Sequence, residues 1–166
     1  MNLATIRNLL DYGDWAIGRL FAQIGALTPE QFVATPIASL PSIRHTLTHT
    51  LGAEVLWLSR FRTGSSAINI TEEQFPDFAT FRQEWDVQRA ALRAHLDTLD
   101  DEALAEPFRF ERRGVSLEWT LWKIFYQLIN HEMQHRTEIA AILTELGHSP
   151  GDLDFFIYIM EQERAA

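Results

Sequence analysis

LEWTLWKIFYQLINHEMQHRTEIAAILTELG, residues Leu117 to Gly147, carries Leu117, Leu121, Ile124, Leu128, His131, His135, Glu138 and Ile142 at steps of three and four. That spacing marks one face of an α-helix. The stretch predicts a long helix from about Leu117 to Leu146, with Gly147 suited to a left-handed C-cap. A helix with one such seam is stable only when packed against other helices. His131 and His135 stand on the seam where leucine or isoleucine would be expected. Four residues apart, both imidazoles project from the same side, one turn apart. Such a pair can grip one metal ion at about 2.1 Å per bond. A single seam histidine is more often a hydrogen-bonded core residue than a ligand, but two imidazoles buried without partners cost free energy.

Outside this stretch the helical period persists. A first helix is expected from Leu3 to Leu27. A short one should follow Thr28-Pro29-Glu30-Gln31, a capping-box sequence with proline at the first helical position, and stop before Pro36. A second long helix should begin near Ser39 or Ser42 and run to about Phe61, and a third from Phe78 to Leu99. Residues 62–77, RTGSSAINITEEQFPD, are polar and turn-rich and read as a loop, long enough for a crossover. PFRFERRGVSLEW alternates apolar and polar residues around Arg113-Gly114, as a small hairpin or extended connection would. The segment after Pro150 forms either a helix or a strand across the other helices. The fold class expected is all-α: one domain, residues 1–166, an antiparallel four-helix bundle with a short hairpin before the last long helix.

Composition narrows the chemistry. The 166 residues include no cysteine, so disulfides, thiolate ligands and a cysteine nucleophile are excluded. The net charge of −9 repels polyanions, which argues against nucleic acid as a partner. The N-terminus, MNLATIRNLLDYGDW, lacks the apolar run of a signal peptide, and no stretch has the roughly 18 consecutive apolar residues of a membrane span. The expectation is a cytoplasmic protein with no membrane partner.

His131-Glu132-Met133-Gln134-His135 is literally H-E-x-x-H, the zinc-protease spacing. The longer metzincin pattern would need glycine at 138 and histidine at 141, where Glu138 and Ala141 stand. No strand-rich lobe accompanies the helix to hold an extended peptide, so a protease is set aside. Further ligands could come from His45, His49, His95 or His148. His45 and His49 are themselves four apart, opposite the strongest leucine stripe of their helix (Leu40, Leu47, Leu51, Leu58), and periodicity alone leaves open which side is the core. His95 and His148 are expected at the surface.

The pieces SIRHTLTHTLGAEVLWLSRF, NHEMQHRTEIAAILTELG and SPGDLDFF resemble the DinB/YfiT-like family of proposed metalloenzymes, named after a DNA-damage-inducible protein. His49, Glu54 and Trp57 fit its second-helix pattern. His131, His135 and Arg136, followed by Leu146, Gly147, Pro150 and Asp152, fit the fourth. The resemblance spans most of the chain and implies a four-helix bundle with a three-histidine site for a divalent metal ion, formed by His49, His131 and His135. It assigns no ligand at His45, which is left as a supporting or competing group. Three neutral imidazoles leave an open coordination position. Imidazole suits several ions, with Zn2+ or Ni2+ the leading expectations.

Candidate catalytic residues are Glu132, Glu138 and Arg136. Glu132 is about 100° around the helix from His131; it either orients a ligand or faces solvent, with solvent favoured. Glu138 is placed to support the site, and Arg136 to pair with a carboxylate or a substrate anion. The resemblance further implies a thiol-dependent S-transferase or isomerase acting on electrophilic small molecules with a low-molecular-weight thiol, and a homodimer, for which the second helix has two apolar sides. Metal-dependent hydrolysis and a non-catalytic metal-binding stress-response protein are the alternatives.

Overall fold

The computed structural model of the chain describes residues 1–165. Seven α-helices and one antiparallel hairpin follow in the order α1 (Leu3–Ile24), α2 (Pro29–Val33), α3 (Ile43–Thr63), α4 (Phe78–Leu96), α5 (Asp101–Ala105), β1 (Pro107–Arg112), β2 (Val115–Thr120), α6 (Leu121–Glu145) and α7 (Phe155–Ala165). Most helices start where a side chain can accept the free backbone N–H groups. Asn2, Thr28, Ser42, Asp77 and Asp100 accept from residues 5, 31, 45, 80 and 103. The capping box at Thr28 and Gln31 forms as expected.

The all-α expectation gives way at the hairpin. Phe110 pairs with Leu117 and Arg112 with Val115. Arg113 (φ 51°) and Gly114 (φ 76°) make the two-residue turn that matches strand twist. Leu117, placed by its spacing at the start of the last long helix, is therefore a strand residue, and α6 begins only at Leu121. The chain after Pro150 resolves as helix α7.

Two apolar clusters run along the four long helices. One contains Leu20, Phe21 and Ile24 of α1, Leu47 and Leu51 of α3, Phe81 and Trp85 of α4, and Ile139, Ile142 and Leu143 of α6. The other contains Ile6 and Leu10, Trp57, Leu92 and Leu96, and Leu121, Ile124, Phe125, Leu128 and Ile129. The order in which each helix meets the two clusters fixes its direction. α1 and α6 run one way, and α3 and α4 the other. Consecutive long helices are thus not all antiparallel. The connection 64–77 returns the chain along the length of α3, and 14 residues at about 3.3 Å each span α4's 19 residues at 1.5 Å with room to spare. Its Ile70 and Phe75 join the first cluster, and a single 3-10 turn forms at Glu72–Gln74. None of the described helices is long and apolar enough to cross a membrane.

Candidate metal centre

His49 on α3 and His131 and His135 on α6 come together. Nε2 of His49 lies 3.1 Å from Nε2 of His131, which lies 3.2 Å from Nε2 of His135. The three rings are 4.5 to 5.0 Å apart at their centroids. Two ligands bonded at about 2.1 Å are about 3.0 Å apart at a right angle and about 3.4 Å apart in a tetrahedron. The observed separations fall in that interval, so the donor set fits one divalent ion. The antiparallel course of α3 and α6 brings one histidine of the first against two of the second.

Each ring has different support. Nδ1 of His135 is 2.6 Å from Oε2 of Glu138. A carboxylate there fixes the proton on Nδ1 and leaves Nε2 free as a ligand. Nδ1 of His131 is buried with no partner among the described residues. Burial, reinforced by His135 and His49, pushes the His131 pKa down to about 4, which keeps the ring in its neutral, ligating form. Burial and the neighbouring His135 and His45 lower that of His49 as well. His49 is solvent-exposed because it faces a cavity of about 790 Å³, which His131 also lines. Ala53 and Leu56 of α3 line this cavity as well.

His45 lines the same cavity but stays out of the triad, its Nδ1 at 2.7 Å from Oε1 of Glu72. His95, expected at the surface, is half-buried and stacks on Phe61, with ring centroids 5.1 Å apart. His148, also expected at the surface, is half-buried after the C-terminus of α6.

Glu132 and Arg136 do not behave as their spacing suggested. Both are buried, at 5% exposure each. The core stripe of α6 in this region is Leu128, Glu132, Arg136, Ile139 and Leu143, while the histidines flank it, His131 lining the cavity. Glu132 faces neither solvent nor a ligand; it takes Nη1 and Nη2 of Arg89 at 2.9 and 3.3 Å. Arg89 also donates to Glu54 at 2.9 Å and to Asp14 at 2.6 Å. This layer, buried at Glu54, Arg89 and Glu132 and partly exposed at Asp14, separates the two apolar clusters and takes a residue from each long helix. Burial raises the Glu54 pKa to about 8 against the pull of Arg89, with Glu132 adding to the rise. The guanidinium of Arg136 lies over the ring of Tyr12, 5.1 Å from its centroid. Gly13 leaves room for both arginines, since a Cβ there would stand 3.0 Å from Nη1 of Arg136 and 3.3 Å from Nη2 of Arg89.

The cavity wall was missed from the sequence. Trp57, Phe110 and Trp119 line it, together with Ile68 and Ile70 of the returning connection. The available signal was that residues 49, 56 and 60 share a helical face at spacings of seven and four.

The DinB family model matches residues 1–165 of the chain. Among curated proteins, the chain is 25% identical to Protein DinB of Bacillus subtilis (strain 168) over 165 residues, covering 95% of this chain and 96% of the relative. It is 24% identical to the uncharacterized protein YizA of the same organism over 136 residues, 78% of this chain and 80% of the relative.

Proposed function

We propose that this chain, which belongs to the DinB family, holds one divalent metal ion between His49, His131 and His135 of a four-helix bundle. In this reading it is an enzyme that joins a low-molecular-weight thiol to an electrophilic small molecule. The observation behind the reading is the convergence of three Nε2 atoms at 3.1 and 3.2 Å beside a large cavity. An ion held by three neutral imidazoles keeps its full charge and would lower the pKa of a thiol or a water brought to it. Zn2+ or Ni2+ suits the donors, as do other imidazole-seeking ions.

The chain's own groups do the rest. Glu138 holds the His135 proton on Nδ1, so the ring cannot turn its N–H toward the site. Leu56, Trp57, Phe110 and Trp119 form an apolar wall that excludes water and receives an electrophile's carbon skeleton. The chain has no cysteine, so the nucleophilic sulfur arrives with the cosubstrate. The thiol proton passes to solvent, a C–S bond forms, and the leaving group departs with its electron pair. Homodimerisation belongs to the same proposal, with light scattering at micromolar concentration as its check.

Cobalt-substituted protein titrated with small thiols, followed by assay with 1-chloro-2,4-dinitrobenzene and with ester substrates, tests the reading. A sulfur-to-cobalt absorption band and thiol consumption that both vanish in His49→Ala are expected. Ester hydrolysis independent of thiol would replace transfer with hydrolysis. Metal binding with turnover on neither panel would leave a non-catalytic metal-binding protein.

A further inference from the structure

The end of the cavity opposite the imidazoles is cationic. Arg60 is 7% exposed, yet its hydrogen bonds go to neutral acceptors only: Nε to Oγ of Ser66 at 3.0 Å and Nη2 to the carbonyl of Glu111 at 2.9 Å. Its guanidinium lies 4.6 Å over the Trp57 ring and 5.4 Å from that of Phe110. These rings hold the guanidinium plane without neutralising its charge as a carboxylate would. The contrast within the same protein is Arg89, equally buried and ringed by Glu54, Glu132 and Asp14. Arg112 lines the cavity as well, and its charge together with burial lowers the pKa of Arg60, burial being the larger cause. The carboxylates of the lining, Glu72 and Glu73, belong to the other end, where Glu72 is taken by Arg44 and His45. A nearly buried cation without a counter-charge is costly to maintain.

Residue 60 follows residue 49 by eleven positions. That is about 16 Å along α3 and about 20° around it, so the guanidinium and the His49 imidazole share one face and one cavity. Gly52 and Ala53 keep the floor between them low.

We propose that Arg60, with Arg112, forms an anion subsite that binds the carboxylate of an elongated small molecule whose other end reaches the three histidines. The inference rests on the metal-and-thiol reading only for what the far end of that molecule is. The overall charge of −9 opposes anion binding at long range, so a preference for the anion has to come from a local site.

The probes are 11-mercaptoundecanoate, whose extended chain is of that span, and 11-mercaptoundecanol, which differs only in lacking the carboxylate. Binding is followed by tryptophan emission in metal-free and cobalt-loaded protein, and by sulfur-to-cobalt absorption in the latter. The carboxylate is expected to bind at least tenfold more tightly than the alcohol in both forms. The preference should vanish in Arg60→Gln and weaken in Arg112→Gln, which alters only an exposed hairpin residue and guards against a folding defect at position 60. Equal affinities in the unsubstituted protein, or a preference unchanged in both variants, overturn the anion subsite whatever the cobalt spectrum does. A carboxylate preference lost on substitution but without a sulfur-to-cobalt band supports the subsite and overturns the thiol reading instead.

Discussion

Oε2 of Glu138 stands 2.6 Å from Nδ1 of His135, one helical turn along α6. The contact costs little in folding terms, since both groups are partly exposed, but it determines which nitrogen is available as a ligand. Replacing such a supporting carboxylate typically weakens a metal site 10- to 100-fold. Glu138→Ala is therefore expected to lose affinity of that order in a chelator-competition assay while its thermal midpoint stays near that of the parent. Unchanged affinity would assign the carboxylate no part in the site.

Gly13 and Gly18 lie on the same helix and make opposite predictions. A Cβ at position 18 meets nothing within 4 Å, whereas one at position 13 meets the two buried guanidiniums. Gly18→Ala should stabilise by up to about 1 kcal/mol through helix propensity. Gly13→Ala should destabilise by about 1–3 kcal/mol despite the same propensity gain, because Arg89 is held by Asp14, Glu54 and Glu132 and Arg136 is buried against Tyr12. Urea unfolding of the two variants checks the pair, and a stabilising Gly13→Ala would show the layer to be looser than its distances.

Arg89 is the hub of that layer. Arg89→Met leaves Glu132 buried without its counter-charge and Glu54 without its hydrogen-bond donor, and should cost about 3–5 kcal/mol, measured by the same unfolding. A loss below 1 kcal/mol would mean that the carboxylates find other partners.

The helices and the pair His131 and His135 were legible because apolar period and i,i+4 spacing are local properties, whereas periodicity left the third ligand open and only the family resemblance assigned His49. The register at the site was not legible. Leu128, His131, His135 and Ile142 form one plausible seam, and Leu128, Glu132, Arg136 and Ile139 form another about 100° away. Apolar period prefers the first, since the second carries two charges. It becomes the core only because Arg89, on another helix, neutralises Glu132, and because Gly13 opens space for Arg136. None of these partners is near residue 132 in sequence. The start of α6 was misread for a related reason: Leu117 keeps helical spacing with Leu121, but pairing with Phe110 claims it for the hairpin.

The raised pKa of Glu54 predicts a pH dependence of definite sign. Between its ordinary value of 4.5 and about 8, the folded chain holds a proton that the unfolded chain has released. The contribution of Glu54 is thus fully present below 4.5 and is lost as pH rises through about 8, by at most about 1.4 kcal/mol per pH unit. Glu54→Gln cannot titrate. The stability of the parent relative to this variant should fall as pH is raised from 5 to 8, read as the difference between their guanidinium midpoints. A difference that is flat or grows with pH would contradict the assignment.

Zinc K-edge X-ray absorption on protein carrying one equivalent of zinc tests the convergence of the three imidazoles most directly. Three histidine nitrogens at about 2.0–2.1 Å are predicted, falling to two in His49→Ala. A spectrum with two imidazoles in the parent, or one that His49→Ala leaves unchanged, would mean that α3 contributes nothing to the metal.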